Sequence, residues 1–214
     1  MFLARHSAQD RDEAAMVAVA GFAVADVLLA AGALELGWTA LDSITLPPTT
    51  AAAAGLVGLV TACHAMAAAL DRRPGDATAP MDTAADVAER FGATSEVDSL
   101  GFVFGPVNAG CFRMWLALEA DEPDQVVRIA QDVNPERHPF RLSRSIYWVH
   151  YGRALAQLSG RRDDAVRALS MAEEINPILV RRHPMAREVL AVLLPGARRD
   201  AVGWNCGGWP TAPV

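Results

Sequence analysis

The stretches Ile129–Pro135 (IAQDVNP) and Met171–Pro177 (MAEEINP) decide how this chain folds. Each closes a helical run with Asn-Pro, and their prolines, 135 and 177, fall 42 residues apart. Proline ends a helix because it lacks the N–H and its ring clashes with the preceding turn. A fixed period between the endings of helix pairs marks a stacked array of helical hairpins. The second stretch carries the pattern further. Gly160 falls at a turn, Ala165 and Ala172 at positions that face a partner helix, and Pro177 at the end of the unit. Small residues belong there because paired helices approach closely.

Helix boundaries are legible on both sides of these endings. Pro106 sits where a first turn starts, and that run reaches about Ala120. Glu122-Pro123-Asp124 opens a shorter helix to about Val133. A loop over Glu136–Leu142 leads to a long helix ending at Gly160, and Asp163 or Asp164 opens the next. A last helix is expected over Pro184–Leu194, closed by Pro195-Gly196. The N-terminal half is less regular. Ser7 precedes a run with Asp10, Asp12 and Glu13 in its first turn, which stops at Gly32. A second segment spans Ala33 to about Ile44, and Thr49 or Thr50 caps a third reaching about Asp71. A loop is expected over Arg73–Pro80, then a helix capped by Asp82 and closed by Gly92, followed by a polar stretch over Ala93–Ser99. The expectation is an all-α chain, a TPR-like (tetratricopeptide-like) helical-repeat solenoid of antiparallel helix pairs. It forms a single domain over 1–200, less regular over 8–92 and regular over 104–194, with an irregular tail over 201–214 that holds Trp204 and Trp209.

Composition agrees. The chain has 214 residues, 52% hydrophobic and 21% charged, a globular balance with enough length for a sizeable core. Runs of β-branched residues alternating with polar ones are absent, so a sheet has little to be built from. Net charge is −6, and all 19 basic residues are Arg, spread along the chain with doublets at helix ends such as Arg72-Arg73 and Arg161-Arg162. Nucleic-acid binders need a basic face that displaces counterions from phosphates, so no direct contact with nucleic acid is expected. Three cysteines without regular spacing, Cys63, Cys111 and Cys206, point to reduced thiols and a cytoplasmic location. The N-terminal MFLARHSAQDRDEAA has no apolar core of the kind a secretory leader needs. Ala14–Leu34 and Thr49–Leu70 are long enough to cross a bilayer, but their apolarity comes largely from Ala and Gly. They lack aromatic belts and basic flanks, so they are read as buried helices, with no membrane.

Phe104–Pro135 (FGPVNAGCFRMWLALEADEPDQVVRIAQDVNP) resembles the C-terminal half of actinobacterial XRE-family transcriptional regulators, which join a helix-turn-helix to a TPR-like region. Gly152–Pro177 looks like the next repeat of such a region, and Val180–Leu194 (VRRHPMAREVLAVLL) like its terminal helix. The resemblance implies a scaffold for sensing or interaction. No helix-turn-helix precedes it in this sequence. Phe112 stands where His is common in that family, Cys111 where an aliphatic residue is, and His150 and Tyr151 where Asp and Leu are usual. The departures imply a retuned groove.

In a TPR array the first helix of each pair lines the concave groove. Counting back from the turns places Asn108, Cys111 and Trp115 there, with Phe112 at the edge, then Tyr147 and His150 from the next pair. Arg113 and Arg153 lie near, and Trp38 and His64 from earlier helices can face the same hollow. These eight residues are the expected ligand contacts, since an aromatic groove with a few polar groups suits a small organic molecule or an apolar peptide. Each also has a packing role open to it. Trp115 and Trp148 can be core, Asn108 can satisfy backbone groups at a helix start, and His64 can be a buried, bonded histidine. His138 and His183, beside Pro139 and Pro184, read as solvated or structural. No HExxH, CxxC or acidic–histidine cluster calls for a metal, and no phosphate-cradling or nucleophile motif calls for a cofactor. His150 with Tyr147 or Tyr151 is the one candidate proton-transfer pair. Three functions are compatible with these readings. The leading one is a regulatory ligand- or partner-binding module, the second an enzyme of specialised metabolism using the same groove on a small apolar substrate, and the third a structural adaptor or homodimerisation unit marked by an apolar end face.

Overall fold

The structure, a computed structural model, describes residues 2–46, 51–91, 104–182 and 184–197. The expected caps at Thr49 and Thr50, the polar stretch 93–99, His183, Cys206 and the tail tryptophans lie outside these residues. The described residues are helical with no strand. The elements are α1 (Phe2–Ala30), α2 (Leu34–Asp42), α3 (Ala51–Leu70), α4 (Pro74–Phe91), α5 (Pro106–Glu119), α6 (Pro123–Asp132), a 3-10 turn (Pro135–Arg137), α7 (Arg141–Gln157), α8 (Arg162–Ile175), α9 (Pro177–Arg182) and α10 (Pro184–Ala197). The chain divides into two compact units, Met1–Phe140 and Arg141–Val214.

The first unit is built from three helical hairpins, α1–α2, α3–α4 and α5–α6. Their turns share one backbone design. Gly32, Arg72 and Asp121 each adopt positive φ, at 76°, 58° and 59°. In each turn that residue's N–H donates to the carbonyl three back, and the next N–H donates five back. The longer bonds are Ala33 to Leu28, Arg73 to Ala68 and Glu122 to Ala117, at 2.9, 2.8 and 2.9 Å. This is the Schellman arrangement, which satisfies the orphan carbonyls of a helix end and reverses the chain at once. With three residues per link, the second helix has no reach to do anything but run back along the first.

Arg73–Pro80, expected as a loop, is the start of α4. Pro74 occupies the first helical position, where its missing N–H is not needed, and Asp76 lies in the first turn against the dipole. Pro80 costs the bond to the Asp76 carbonyl. The buried stripe Ala77, Met81, Ala84, Ala85 and Ala88 offsets that loss by packing on Ala62, Ala65 and Ala68 of α3. Ser7, expected as a cap, lies inside α1, since Phe2–His6 contains no Gly or Pro to stop a helix. Of Ala53–Leu70, the most apolar window, 61% of residues are buried within the protein, the pattern of a core helix. Phe104 lies flat on Gly58 of that helix, where a Cβ would fall 2.4 Å from its ring.

The second unit pairs α7 with α8 and adds α9 and α10. Gly160, with φ 74°, makes its hairpin turn, as expected. Ala165 and Ala172 are fully buried, and Gly152 lets α7 approach until a Cβ would sit 3.3 Å from the Ala165 carbonyl oxygen. The Ser145 hydroxyl donates to the Ala172 carbonyl at 2.9 Å, a second tie between the pair. Asp164 in the first turn of α8 accepts from Arg161 and Arg167, which hold its carboxyl below the usual range. The two Asn-Pro stops also open the next turn of the chain. Asn134 Oδ1 accepts from Glu136 N–H and Asn176 Oδ1 from Leu179 N–H, both at 3.1 Å, so each asparagine caps a short helical turn with proline at its first position. The second of these turns, α9, was not expected. Nor was the run of α10 through Pro195 to Ala197, where proline removes a single bond in the last turn.

Candidate binding site

Three of the expected contacts meet in the first unit. Trp38 and Asp42 lie one turn apart on α2, so both reach the same neighbour, His64 of α3. The Trp38 and His64 rings are 5.2 Å apart and tilted by 59°, and the Arg73 guanidinium lies 5.2 Å from the Trp38 ring centre. His64 Nδ1 is 3.1 Å from the Val60 carbonyl and Nε2 is 2.9 Å from Asp42 Oδ1. Both ring nitrogens are thus engaged by oxygen atoms, one on its own helix and one on α2. A histidine so engaged has no free nitrogen to act as a base; it pins α2 to α3. Phe112 of α5 packs with Trp38 against both core clusters, and its ring lies 6.1 Å from Phe104. The Trp38 indole nitrogen is buried without a hydrogen-bond partner among the described residues.

Asn108, Cys111 and Trp115 are engaged internally. Asn108 Oδ1 accepts from Gly105 N–H at 3.2 Å, which closes the start of α5, and from His138 Nε2–H at 3.0 Å. Phe140 N–H donates to His138 Nδ1 at 3.1 Å, so the proton sits on Nε2 and the tautomer is fixed. His138 is therefore a buried structural residue and not a solvated one. Cys111 and Trp115 are buried, and burial pushes the Cys111 thiol up to about 12. Cys63 is likewise buried and pushed up to about 12, by desolvation first and the Asp26 charge second. Neither is a thiolate near neutrality.

In the second unit Tyr147 and His150 are buried on α7. Tyr147 meets Trp148 edge-on at 5.1 Å and stacks on Tyr151 at 6.2 Å. Trp148 packs against Val149, Ala172, Val180 and Ala186. Of the expected proton-transfer groups, His150 and Tyr147 are thus buried, while Tyr151 is half-buried.

An open cleft lies elsewhere in the first unit. With a volume of about 1130 Å³, it runs between α4 and α6, with α5 between them. It is walled by helical stripes: Pro74, Ala77, Thr78, Met81 and Asp82 of α4; Arg113, Leu116 and Ala117 of α5 with Ala120 at its C-cap; Gln125 and Ile129 of α6. Arg113 pairs with Asp82 across it at 3.7 Å. None of the eight expected contacts lines it. The α5 residues that do are rotated roughly 150° from the Asn108–Cys111–Trp115 stripe at 100° per residue. Their spacing, i, i+3, i+4 and i+7, was in the sequence, but so was that of the stripe chosen. Among the described residues no group of three or more His, Cys, Asp and Glu is placed to hold a metal ion. No family model, no curated protein and no solved structure matches this chain.

Proposed function

We propose that this chain is a TPR-like helical-repeat binding protein, regulatory in role, that takes a peptide or a segment of a partner protein in the α4–α5–α6 cleft. The observation that carries the reading is the cleft itself. It is open and rimmed by Arg72, Asp82, Arg113 and Glu122, with Ala77, Met81, Leu116 and Ile129 in its apolar walls. Its volume exceeds the roughly 300–1,000 Å³ usual for enclosed small-molecule pockets. An apolar floor with charged edges suits side chains projecting from a peptide and a polar backbone between them. Support for the repeat architecture comes from the recurring Schellman turns and the Gly152–Ala165 and Ser145–Ala172 contacts, which obey the small-residue logic of paired repeat helices.

The test is a displayed random-peptide library panned on the full chain, with winners measured by fluorescence anisotropy. Thr78 is exposed on the cleft wall, so Thr78→Arg fills it without touching the core. Expected is binding that weakens at least about tenfold in Thr78→Arg, a loss of ~1.4 kcal/mol, with thermal unfolding unchanged. Failure to enrich any peptide, or equal binding by the variant, overturns the reading. A small molecule retained in native mass spectra of protein purified from its host moves the assignment to a small ligand.

A further inference from the structure

The outer face of α1 carries an inference independent of the cleft. This helix is apolar on two opposite sides. Ala18, Phe22, Ala25 and Leu29 face the unit's own core. Met16, Val17, Val24 and Val27 are 55–68% exposed, and Ala20 and Ala23 between them are exposed too. A helix apolar all round is normally covered all round. We propose that α1 pairs through this second face with α1 of another copy of the chain, in a two-fold helix-to-helix contact.

Three observations select that occupant. First, the exposed residues fall seven apart, Met16 with Ala23, Val17 with Val24 and Ala20 with Val27, the spacing that another helix fills. Second, over Met16–Val27 the stripe is uncharged: Asp26, the one charge within that span, falls about 180° around the helix from Val17, and Asp10 and Glu13 mark the N-terminal limit of the stripe. A two-fold contact sets the patch against itself, residue i on j and j on i, so an uncharged span is self-complementary where a charged one would repel itself, and an antiparallel pairing centred on Met16–Val27 keeps Asp10 and Glu13 off the crossing. Third, α1 has 29 residues against nine in α2. At 1.5 Å per residue it is about 43 Å long against about 14 Å, so its hairpin partner covers only part of it. An uncovered helix of this kind gains its stability from packing on something else. The four large side chains each leave on the order of 100 Å² in water, which with the alanines gives about 1,000 Å² over both copies, the lower bound of a specific interface.

Sedimentation equilibrium of the full chain tests this. The chain mass is 22.8 kDa, and the expected wild-type species has twice that mass. Val24→Glu and, separately, Val17→Glu put a carboxylate on the seam and are expected to weaken association at least about 100-fold, leaving monomer with unchanged helical circular dichroism. Glu174→Arg, exposed on α8, is expected to stay dimeric. A wild-type chain that remains at monomer mass at about 100 μM overturns the proposal, whether or not it binds phosphatidylglycerol vesicles. So does a dimer that persists in both glutamate variants.

Discussion

Removing the Asn108 side chain decides whether that residue belongs to a binding groove or to the fold. Asn108→Ala strips an acceptor from two donors, Gly105 N–H and His138 Nε2–H. The loss at Gly105 is that of a helix-start bond, about 1 kcal/mol. His138 is 3% exposed, so its N–H has no water to turn to, and a buried unsatisfied donor costs about 1–3 kcal/mol. The expected loss of folding stability is therefore about 2–4 kcal/mol. His138→Ala loses the same inter-residue bond and the one from Phe140, with a cavity added, and is expected to cost about as much. The double variant is expected to be less destabilised than the two singles combined, by about 1–2 kcal/mol, because the shared bond is lost only once. Urea unfolding monitored by circular dichroism measures all three. A loss below about 0.5 kcal/mol for Asn108→Ala, or a coupling near zero, refutes the structural account and returns Asn108 to the ligand contacts.

The buried thiols and the α3–α4 turn give two further expected outcomes. Cys63 and Cys111 keep their protons in the fold up to about pH 12, whereas an exposed thiol releases its proton near 9. Both folded values are raised, so stability is whole below pH 9 and falls above it by about 1.4 kcal/mol per thiol per pH unit until the folded thiols ionise. The wild type should lose about 3 kcal/mol more between pH 8 and pH 10 than Cys63→Ala/Cys111→Ala, and parallel pH profiles for the two proteins would contradict the burial. Arg72→Gly relieves a left-handed residue in the α3–α4 turn and is expected to stabilise by about 0.5–1 kcal/mol after the entropy of the added glycine is counted; a destabilised variant in thermal melts would show that the turn is not strained.

The hairpin turns show where the sequence was legible and where it was not. Gly32 and Gly160 could be read as turns because glycine is the residue expected at positive φ. Arg72 and Asp121 occupy the equivalent place in the other two hairpins, and nothing in an Arg or Asp announces it. With Arg72 unrecognised, Pro74 and Pro80 read as loop residues, although Pro74 is the first residue of α4. The Asn-Pro endings were legible as stops, but not as caps of the next turn, because that role needs the asparagine oxygen to meet an N–H two or three residues on. The tripeptide Arg-His-Pro also comes after both stops, at 137–139 and 182–184, but these lie 45 residues apart and so fall outside the 42-residue spacing of the stops. The reason for the first appears only when His138 is found bonded to Asn108, thirty residues away.

The expected contacts and the open cleft lie on opposite sides of α5, and energy distinguishes the two faces. A stripe of polar and aromatic residues on a leading helix reads equally as a groove or as a seam, since both use Trp, Asn and small residues at i, i+3 and i+7. What separates them is whether the polar atoms are already bonded. Asn108 Oδ1 closes the start of α5 and holds His138, while Cys111 and Trp115 are buried, so that side of the helix is taken up by the fold. On the other side Arg113 pairs with the Asp82 carboxylate of α4 at 3.7 Å, a contact long enough for a competing anion or amide to displace. Leu116 beside it is half-buried against the core. Side chains that keep part of their surface in water while anchored by the core are the ones able to gain from a partner. By that criterion the α5 face bearing Arg113 and Leu116 is where binding energy remains to be collected.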